Sequence, residues 1–173
     1  MTTEEKLASA VTLLAPWTKG TKTPEPNRLD FLIDAADLLA AVKALNDAHW
    51  GYLVAITGLD YLGKTATLAQ DARWKDLVAT AGVKPDTAAL EVLYFFGDGP
   101  AMVTLRLLLA REGASVNSVC SISGSASFYE RELSEMFGIT VVNTPDPNRL
   151  FLSEDWPNGV YPLRKDFVPA KTE

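Results

Sequence analysis

The chain has 173 residues, of which 47% are hydrophobic and 22% charged, and its formal net charge at pH 7 is −6. This composition is typical of one ordinary globular domain, and the acidic balance argues against a nucleic-acid-binding protein. The single cysteine, Cys120, excludes an internal disulfide. No apolar run approaches the roughly 20 residues that span a bilayer. The N-terminal residues predict an acidic, capped helix start rather than a signal or transit peptide.

The first half of the chain predicts two helices and two strands. Thr2 and Glu5 have the spacing of a capping box, and Pro16 ends the helix that follows. Apolar residues then alternate as in a strand with one buried face, and Asp34 is expected to cap the second helix. The predicted elements are a helix over 3–15, a linker or exposed loop over 18–27, a strand over 28–33, a helix over 34–46 and a strand over 52–57.

The middle of the chain predicts a hairpin. Two apolar runs, 89–96 and 102–109, are joined by Gly-Asp-Gly-Pro, which is typical of a hairpin connection. Residues 65–80 have helical character that ends at Gly82 and Pro85, and 116–122 predicts a further strand. Helices that flank hairpin-connected strands indicate an α+β fold with a mostly antiparallel sheet.

A charged helix follows. Ser127 and Glu130 have capping-box spacing, and Glu130 and Glu132 are expected in the first turn, where the helix dipole favours negative charge. Arg131 and Glu135 are four residues apart and are expected to pair. Gly138 is expected to end the helix in the left-handed conformation, and 139–142 predicts a short strand.

The C-terminal residues predict an irregular tail. Prolines at 145, 147, 157 and 162 restrict the backbone, and aromatic residues stand among arginines. This composition is typical of interface hot spots, but it also suits an arm folded back over its own domain, and both interpretations stay open. We predict an α+β domain over 1–127 and a helix with an extended tail over 128–173, in the same globular unit.

The run ERELSEMFGI, followed by PDPNRLFLSEDW and YPLRKDF, resembles the signature region of one family of respiratory complex I subunits, the small C subunit of the peripheral arm. The same family includes subunits of plastid and cyanobacterial NDH complexes, F420H2 dehydrogenases and membrane-bound hydrogenases. The chain departs from the family pattern where Asn143-Thr144-Pro145 replaces Gly-His-Pro and where Phe128 replaces a tryptophan. Residues 62–88 resemble an insertion.

The resemblance implies a non-catalytic subunit without a cofactor or metal of its own. It implies docking on the large quinone-site subunit and on other peripheral-arm subunits, with flavin, iron–sulfur clusters and quinone on those partners, and a peripheral place on the cytoplasmic side of the membrane. The electron donor stays open among NADH, F420H2, ferredoxin and hydrogen. The residues expected at the partner interface are Glu130, Arg131, Glu132, Arg149, Asp155, Trp156, Arg164, Lys165 and Asp166.

One motif offers an alternative function. Gly58, Gly63, Lys64 and Thr65 fit the P-loop pattern G-x-x-x-x-G-K-[ST] after a predicted strand, which would make the chain a nucleotide-binding protein. Against this, the intervening residues are bulky or acidic, and Asp60 would repel a phosphate. The equivalent subunit of a membrane-bound hydrogenase is a second alternative.

The other chemically active residues favour structural roles. His49, the only histidine, stands at a predicted helix end, and Cys120 lies in a strand pattern where we expect a small buried side chain. Glu130 and Glu132 point in nearly opposite directions on a helix, so they cannot act as an acid–base pair on one atom. Salt bridges of these glutamates with Arg149, Arg164 or a partner are the expectation.

Overall fold

The computed structural model describes residues 1–62 and 89–169. Within them the chain forms three α-helices and seven strands. The helix-like segment 65–80 lies outside the described residues, and so does nearly all of the 62–88 insertion. In chain order the elements are α1 (Thr3–Leu14), β1 (Gly20–Glu25), β2 (Arg28–Leu32), α2 (Leu38–Asp47), β3 (Tyr52–Asp60), β4 (Ala89–Asp98), β5 (Ala101–Ala110), β6 (Ser115–Asn117), α3 (Ala126–Phe137) and β7 (Thr140–Val142).

The main sheet, as far as the described residues form it, has five strands in the order β1-β2-β5-β4-β3. Three of its four strand pairs are antiparallel, whereas β2 and β5 run parallel. The predicted hairpin is confirmed as β4 and β5, whose turn places Gly99 at φ 61°. The α+β class with a mostly antiparallel sheet is therefore confirmed.

One face of the sheet carries the apolar core. Side chains of β4 and β5 that alternate along the strands pack here with the buried stripes of α1, α2 and α3. Tyr94, Phe31 and Leu133 are among the largest fully buried side chains. The capping box of α1 is confirmed, because the Thr2 hydroxyl accepts from the Glu5 N–H and the Glu5 carboxylate accepts from the Thr2 N–H.

The opposite face carries buried charges that the sequence did not predict. The Arg106 guanidinium donates to Glu91 at 2.6 Å and to Asp30 at 3.0 Å, across three neighbouring strands. Tyr61 donates its hydroxyl to Glu91 at 2.7 Å, and the pKa of Tyr61 is raised by burial and by that carboxylate. Burial of these charges is tolerated because each carboxylate receives charge-assisted hydrogen bonds.

The loop predicted over 18–27 is wrong, because β1 (Gly20–Glu25) pairs there with β2 (Arg28–Leu32). Strand β1 lies at the sheet edge, and most of its side chains are exposed. An edge strand of this kind needs no apolar alternation and tolerates Pro24, so its sequence looks like a loop.

Two further boundaries differ from the prediction. The expected strand over 116–122 is wrong beyond Asn117, since the chain then turns instead of continuing as a strand. Asp34 does not cap α2, because a short 3₁₀ helix (Ala35–Asp37) intervenes and the Asp34 carboxylate pairs with Lys19 at 3.1 Å. Strand β3 continues to Asp60, beyond the predicted end at residue 57.

Helix α3 packs closely against β3. A Cβ built on Gly58 would lie 2.7 Å from a ring carbon of Phe137, so only glycine allows this approach. Near the other end of the helix, the Tyr129 hydroxyl donates to the Val54 carbonyl at 2.7 Å. These contacts fix α3 beside the sheet. The C-terminal residues of the chain then contact the C-terminal end of α3.

Candidate functional site

The C-terminal arm, defined here as residues 143–169, folds back over α3. None of its residues is fully buried, and it contains no regular helix or strand. The folded-back interpretation therefore holds for the inner side of the arm, and the interface interpretation stays a prediction for its outer side. What holds the arm to the domain is a set of polar side chains, of which Arg131 and Arg164 were predicted to contact a partner. The others are Glu135, Asp60 and Arg111.

Glu130 is the most buried of the residues predicted to contact a partner, with 1% of its surface exposed. Its carboxylate accepts hydrogen bonds from the Ser118 hydroxyl and the Val119 N–H, both at 2.7 Å, and from the Cys120 thiol at 3.2 Å. Helix α3 begins at Ala126 with Ser125 before it, so the predicted Ser127–Glu130 capping box is wrong. Glu130 instead fixes the turn that leads from β6 into the helix, and it is too buried to meet a partner.

Cys120 is half-buried rather than enclosed in a strand, which corrects the sequence expectation. Burial raises the pKa of its thiol, and the neighbouring Glu130 carboxylate adds to that increase. The thiol therefore stays protonated and serves as a hydrogen-bond donor to Glu130.

Glu135 holds the middle of the arm. Its carboxylate accepts three backbone hydrogen bonds, from the N–H groups of Leu150 at 3.0 Å, Phe151 at 2.9 Å and Leu152 at 3.2 Å. Three successive N–H groups directed at one carboxylate form an anion-binding nest. The prediction that Glu135 pairs with Arg131 along the helix is wrong, and nothing in the helical spacing could reveal partners so far along the chain.

Arg131 also binds the arm. Its guanidinium donates to the carbonyls of Asn148 at 2.8 Å and Arg149 at 2.5 Å and pairs with the Asp146 carboxylate at 3.1 Å. All of these acceptors lie in the first part of the arm. Arg131 and Glu135, one turn apart on α3, therefore anchor the same segment with opposite charges.

The next part of the arm is a loop that holds itself together. Arg149 donates to the Ser153 carbonyl at 2.7 Å and to the Asn158 side chain at 2.9 Å. The Trp156 indole donates to the Val160 carbonyl at 2.9 Å, and its ring lies 6.1 Å from that of Phe167. The hydrogen bonds of Arg149 and Trp156 thus stabilise the arm internally.

The arm then closes the C-terminal end of α3. The Leu163 N–H donates to the Met136 carbonyl at 3.1 Å, and the Arg164 guanidinium donates to the Phe137 carbonyl at 2.6 Å. Gly138 has the predicted left-handed φ of 65°, and it leaves room for the Tyr161 ring, which a Cβ at this position would overlap. Carbonyls that the helix leaves unpaired are satisfied by the arm.

Asp60 secures the end of the arm. Its carboxylate accepts from the backbone N–H groups of Lys165 and Leu62, both at 2.9 Å, and pairs with Arg111 at 2.5 Å. Burial would raise the pKa of Asp60, but these hydrogen bonds together hold it below its usual value. Arg111 also binds Asp166 at 2.5 Å. Neither Asp60 nor Arg111 was predicted as an interface residue, because both lie far from the signature region in sequence.

The remaining predicted interface residues are more accessible. Asp155, Lys165 and Asp166 are exposed, and Glu132 is half-buried. The pKa of Asp155 is lowered by a hydrogen bond from Ser153. Of the predicted interface residues, these four are therefore the most available to a partner.

Part of the P-loop pattern falls in a strand. Gly58, Leu59 and Asp60 pair with Val92, Glu91 and Leu90 in β3 and β4. Pairing in the sheet thus fixes the backbone of these three residues, and the Asp60 carboxylate accepts a hydrogen bond from the Lys165 N–H of the arm. Gly63, Lys64 and Thr65 lie outside the described residues. Nucleotide binding therefore stays a prediction.

His49 lies at the exposed end of α2, as predicted, and adopts a positive φ of 52°. In residues 1–62 and 89–169 no three His, Cys, Asp or Glu side chains form a group able to hold a metal ion. No helix in the described part of the chain combines the length and the apolar character needed to cross a membrane.

The geometry defines an α+β domain whose own C-terminal arm is clamped to one helix and one sheet edge. Residues 31–173 match the family described as respiratory-chain NADH dehydrogenase, 30 Kd subunit, and the chain belongs to this family. The family resemblance of the signature region is confirmed.

Relatives within the family serve different complexes. The chain is 36% identical to the C subunit of F(420)H(2) dehydrogenase from Methanosarcina mazei over 94 residues, which are 53% of this chain and 59% of that protein. It is 28% identical to the C/D subunit of NADH-quinone oxidoreductase from Bacteroides thetaiotaomicron over 152 residues, which are 83% of this chain and 24% of that protein. The match thus spans only part of the length of each relative.

Two solved structures share the fold. One belongs to the membrane-bound sulfane sulfur reductase, described as an archaeal respiratory membrane complex, with a TM-score of 0.67 and 19% identity over 95% of this chain and 85% of that chain. The other is a trypsin-resistant fragment (1-134) of Nqo5, with a TM-score of 0.54 and 22% identity over 83% of this chain and 97% of that chain.

Proposed function

We propose that this chain is a cofactor-free structural subunit of a complex-I-like oxidoreductase and that it docks on the large quinone-site subunit through the outer surface of its C-terminal arm. The observation that carries this proposal is the contrast between the two sides of the arm. The polar groups of the inner side are bound to α3 and Asp60. The outer side presents Phe151, Leu163 and Val168, which are 65%, 52% and 82% exposed.

The physical argument is that a clamped backbone carries exposed apolar side chains. Phe151 and Leu163 each give their own N–H group to the clamp, so their backbone positions are fixed while their side chains point away. A segment ordered before binding loses less conformational entropy on association than a flexible one. Apolar and aromatic side chains held in this way are typical anchors of a protein interface.

The relatives support this partner. The C/D protein of Bacteroides thetaiotaomicron carries two subunit letters in its name, and the part matched by this chain is 24% of its length. Fusion in one polypeptide is expected for subunits that are neighbours. The sulfane sulfur reductase structure is that of a respiratory membrane complex. In this proposal flavin, iron–sulfur clusters and quinone lie on partner subunits. The chain is held at the cytoplasmic side of the membrane through these partners. There it helps to fix the path of electron transfer to quinone, which drives proton translocation.

The test is affinity purification of the tagged chain from detergent-solubilised membranes, with mass spectrometry of the proteins recovered with it. Wild type is expected to recover a quinone-site subunit and iron–sulfur subunits, whose identity would name the electron donor. The double variant Phe151→Ser/Leu163→Ser is expected to lower that recovery at least ~10-fold, since two anchors are lost. Its isolated stability should stay within ~0.5 kcal/mol of wild type, because both backbone N–H groups remain.

The control is Val11→Ser, which removes an apolar side chain that is 44% exposed on α1, away from the arm. It should leave recovery unchanged. Recovery of the wild-type chain without any quinone-site or iron–sulfur subunit would overturn the proposed function. Equal recovery by the double variant and by wild type would overturn the assignment of the interface to the arm.

A further inference from the structure

A second surface of the domain is a strand edge that is unpaired among residues 1–62 and 89–169. Strands β6 and β7 form a separate parallel sheet of only two strands within the described residues, with Ser115, Val116 and Asn117 opposite Thr140, Val141 and Val142. Parallel strands normally occur inside larger sheets, and two strands alone are marginally stable. The short sheet therefore has the character of a fragment that a further strand would complete.

The hydrogen bonds show which edge is open. The Thr140 N–H donates to the Ala114 carbonyl at 2.9 Å, and the Val142 carbonyl accepts from the Ser118 N–H at 2.8 Å. Because the N–H and C=O groups of successive residues in a strand point to alternate sides, Thr140 and Val142 face β6. The N–H and C=O groups of Val141 then point to the opposite edge, where no strand in the described part of the chain pairs with β7.

A groove of about 270 Å³ runs beside this strand. The residues that line it include Thr140 and Val141 of β7, Arg131 and Ser134 of α3, and Tyr161 of the arm. The Val141 side chain is 8% exposed and packs in the core, whereas Val142 is 40% exposed. Strand β7 is thus fixed by the side chain of Val141 in the core, while the side chain of its neighbour Val142 is at the surface.

The charged side chains beside the groove already have partners within the chain. Arg131 is bound to Asp146 at 3.1 Å, and the Glu130 carboxylate is occupied by Ser118 and Val119. The other polar side chains along the groove carry hydroxyl groups and belong to Ser134, Thr140, Thr144 and Tyr161. This environment suits an extended, uncharged segment with small or β-branched side chains, which pairs through its backbone.

We infer that the outer edge of β7 accepts an uncharged extended segment of a partner subunit as a third strand, with Val141 exchanging backbone hydrogen bonds with it. This inference rests on the proposed function, because the segment comes from the complex in which the chain is assembled. A second copy of this chain fits the edge less well, since each copy carries a net charge of −6 and the two would repel each other.

The direct test is amide hydrogen exchange of Val141, measured in the isolated chain and in the complex purified through a tag on it. The Val141 amide is expected to exchange at least ~10-fold more slowly in the complex, because its N–H is then bound to the added strand. An equal rate in the two states, in a complex that contains the quinone-site subunit, would overturn this inference and leave the proposed function intact. Protection that rises with the concentration of the isolated chain would also overturn it, in favour of a second copy.

A variant provides an independent test. Thr140→Lys places a charge on the exposed edge, which is the way in which natural edge strands block pairing. It is expected to lower recovery of the partner subunit at least ~3-fold and to abolish the slow exchange of Val141 in the complex that still forms. The matched control, Thr12→Lys, makes the same change at an exposed position of α1 and should change neither measurement. Retained slow exchange in Thr140→Lys would contradict the inference.

Discussion

The sheet and the C-terminal arm are held in place by different forces. Nearly all side chains of β4 and β5 are buried, and most of those on the core face are apolar. No residue of the arm is fully buried, and the arm is held by carboxylates and guanidinium groups that bind backbone atoms. Apolar burial contributes about 25 cal/mol per Å² without directional preference, whereas each polar bond adds only about 0.5–3 kcal/mol but specifies a geometry.

This difference indicates that the two regions can be separated energetically. The sheet should open only with global unfolding, while the arm can detach at a lower free energy because few apolar contacts hold it. The arm is therefore well defined in position but weakly attached. The residues on which the attachment depends are those that the signature region supplies, together with Asp60 and Arg111.

The largest effect is expected at Glu130, which binds the turn between β6 and α3. Glu130→Ala should lower the free energy of unfolding by about 3 kcal/mol, because the Ser118 hydroxyl and the Val119 N–H lose their buried acceptor. Denaturant unfolding of the isolated chain would measure this change. Glu132→Ala, on the same helix and half-buried, is the control and should change stability by less than ~0.5 kcal/mol. Similar losses in the two variants would contradict the role of Glu130.

Replacing Glu135 is expected to change global stability less than replacing Glu130, but to change amide exchange in the arm strongly. Glu135→Ala should speed amide exchange of Leu150, Phe151 and Leu152 at least ~10-fold, since their N–H groups lose a common acceptor, and should lower global stability by only about 1 kcal/mol. Exchange in β4, which follows global unfolding, should speed up by no more than ~5-fold. Glu154→Ala, an exposed position in the arm, is the matched control. If β4 and the arm lost protection to the same extent, the separation of the two regions would be wrong.

The smallest effect on stability is expected from replacing Asp60, and this effect depends on pH. The pKa of Asp60 is lowered in the folded chain, so its contribution to stability is complete above the unfolded value of about 3.9 and is lost as pH falls through the folded value. Asp60→Asn should therefore be less stable than wild type at pH 6, by about 1 kcal/mol, and the difference should shrink below pH 4. Unfolding curves from pH 6 to pH 2.5 would measure this, and a difference that does not depend on pH would exclude the ionised carboxylate as the cause.

The fold was largely predictable because its signals are local. The capping box of Thr2, the turn at Gly99 and the C-cap at Gly138 each depend on a few neighbouring residues. Strand β1 was missed because an exposed edge strand lacks the apolar period on which the prediction depended. Capping by Ser127 was predicted from spacing alone, but the buried donors of the β6 turn bind Glu130 more favourably.

The sequence by itself determined the family, the α+β class and the residues that matter in the signature region, since these depend on motif spacing and hydrophobic period. Only the tertiary structure decided what those residues contact. A carboxylate such as Glu135 can bind a partner, a neighbouring arginine or three backbone N–H groups, and its sequence neighbourhood is the same in each case. The choice depends on which chain segment the fold brings within hydrogen-bonding distance, and here the turn at Gly138 and the contact of Asp60 with Lys165 bring back the arm.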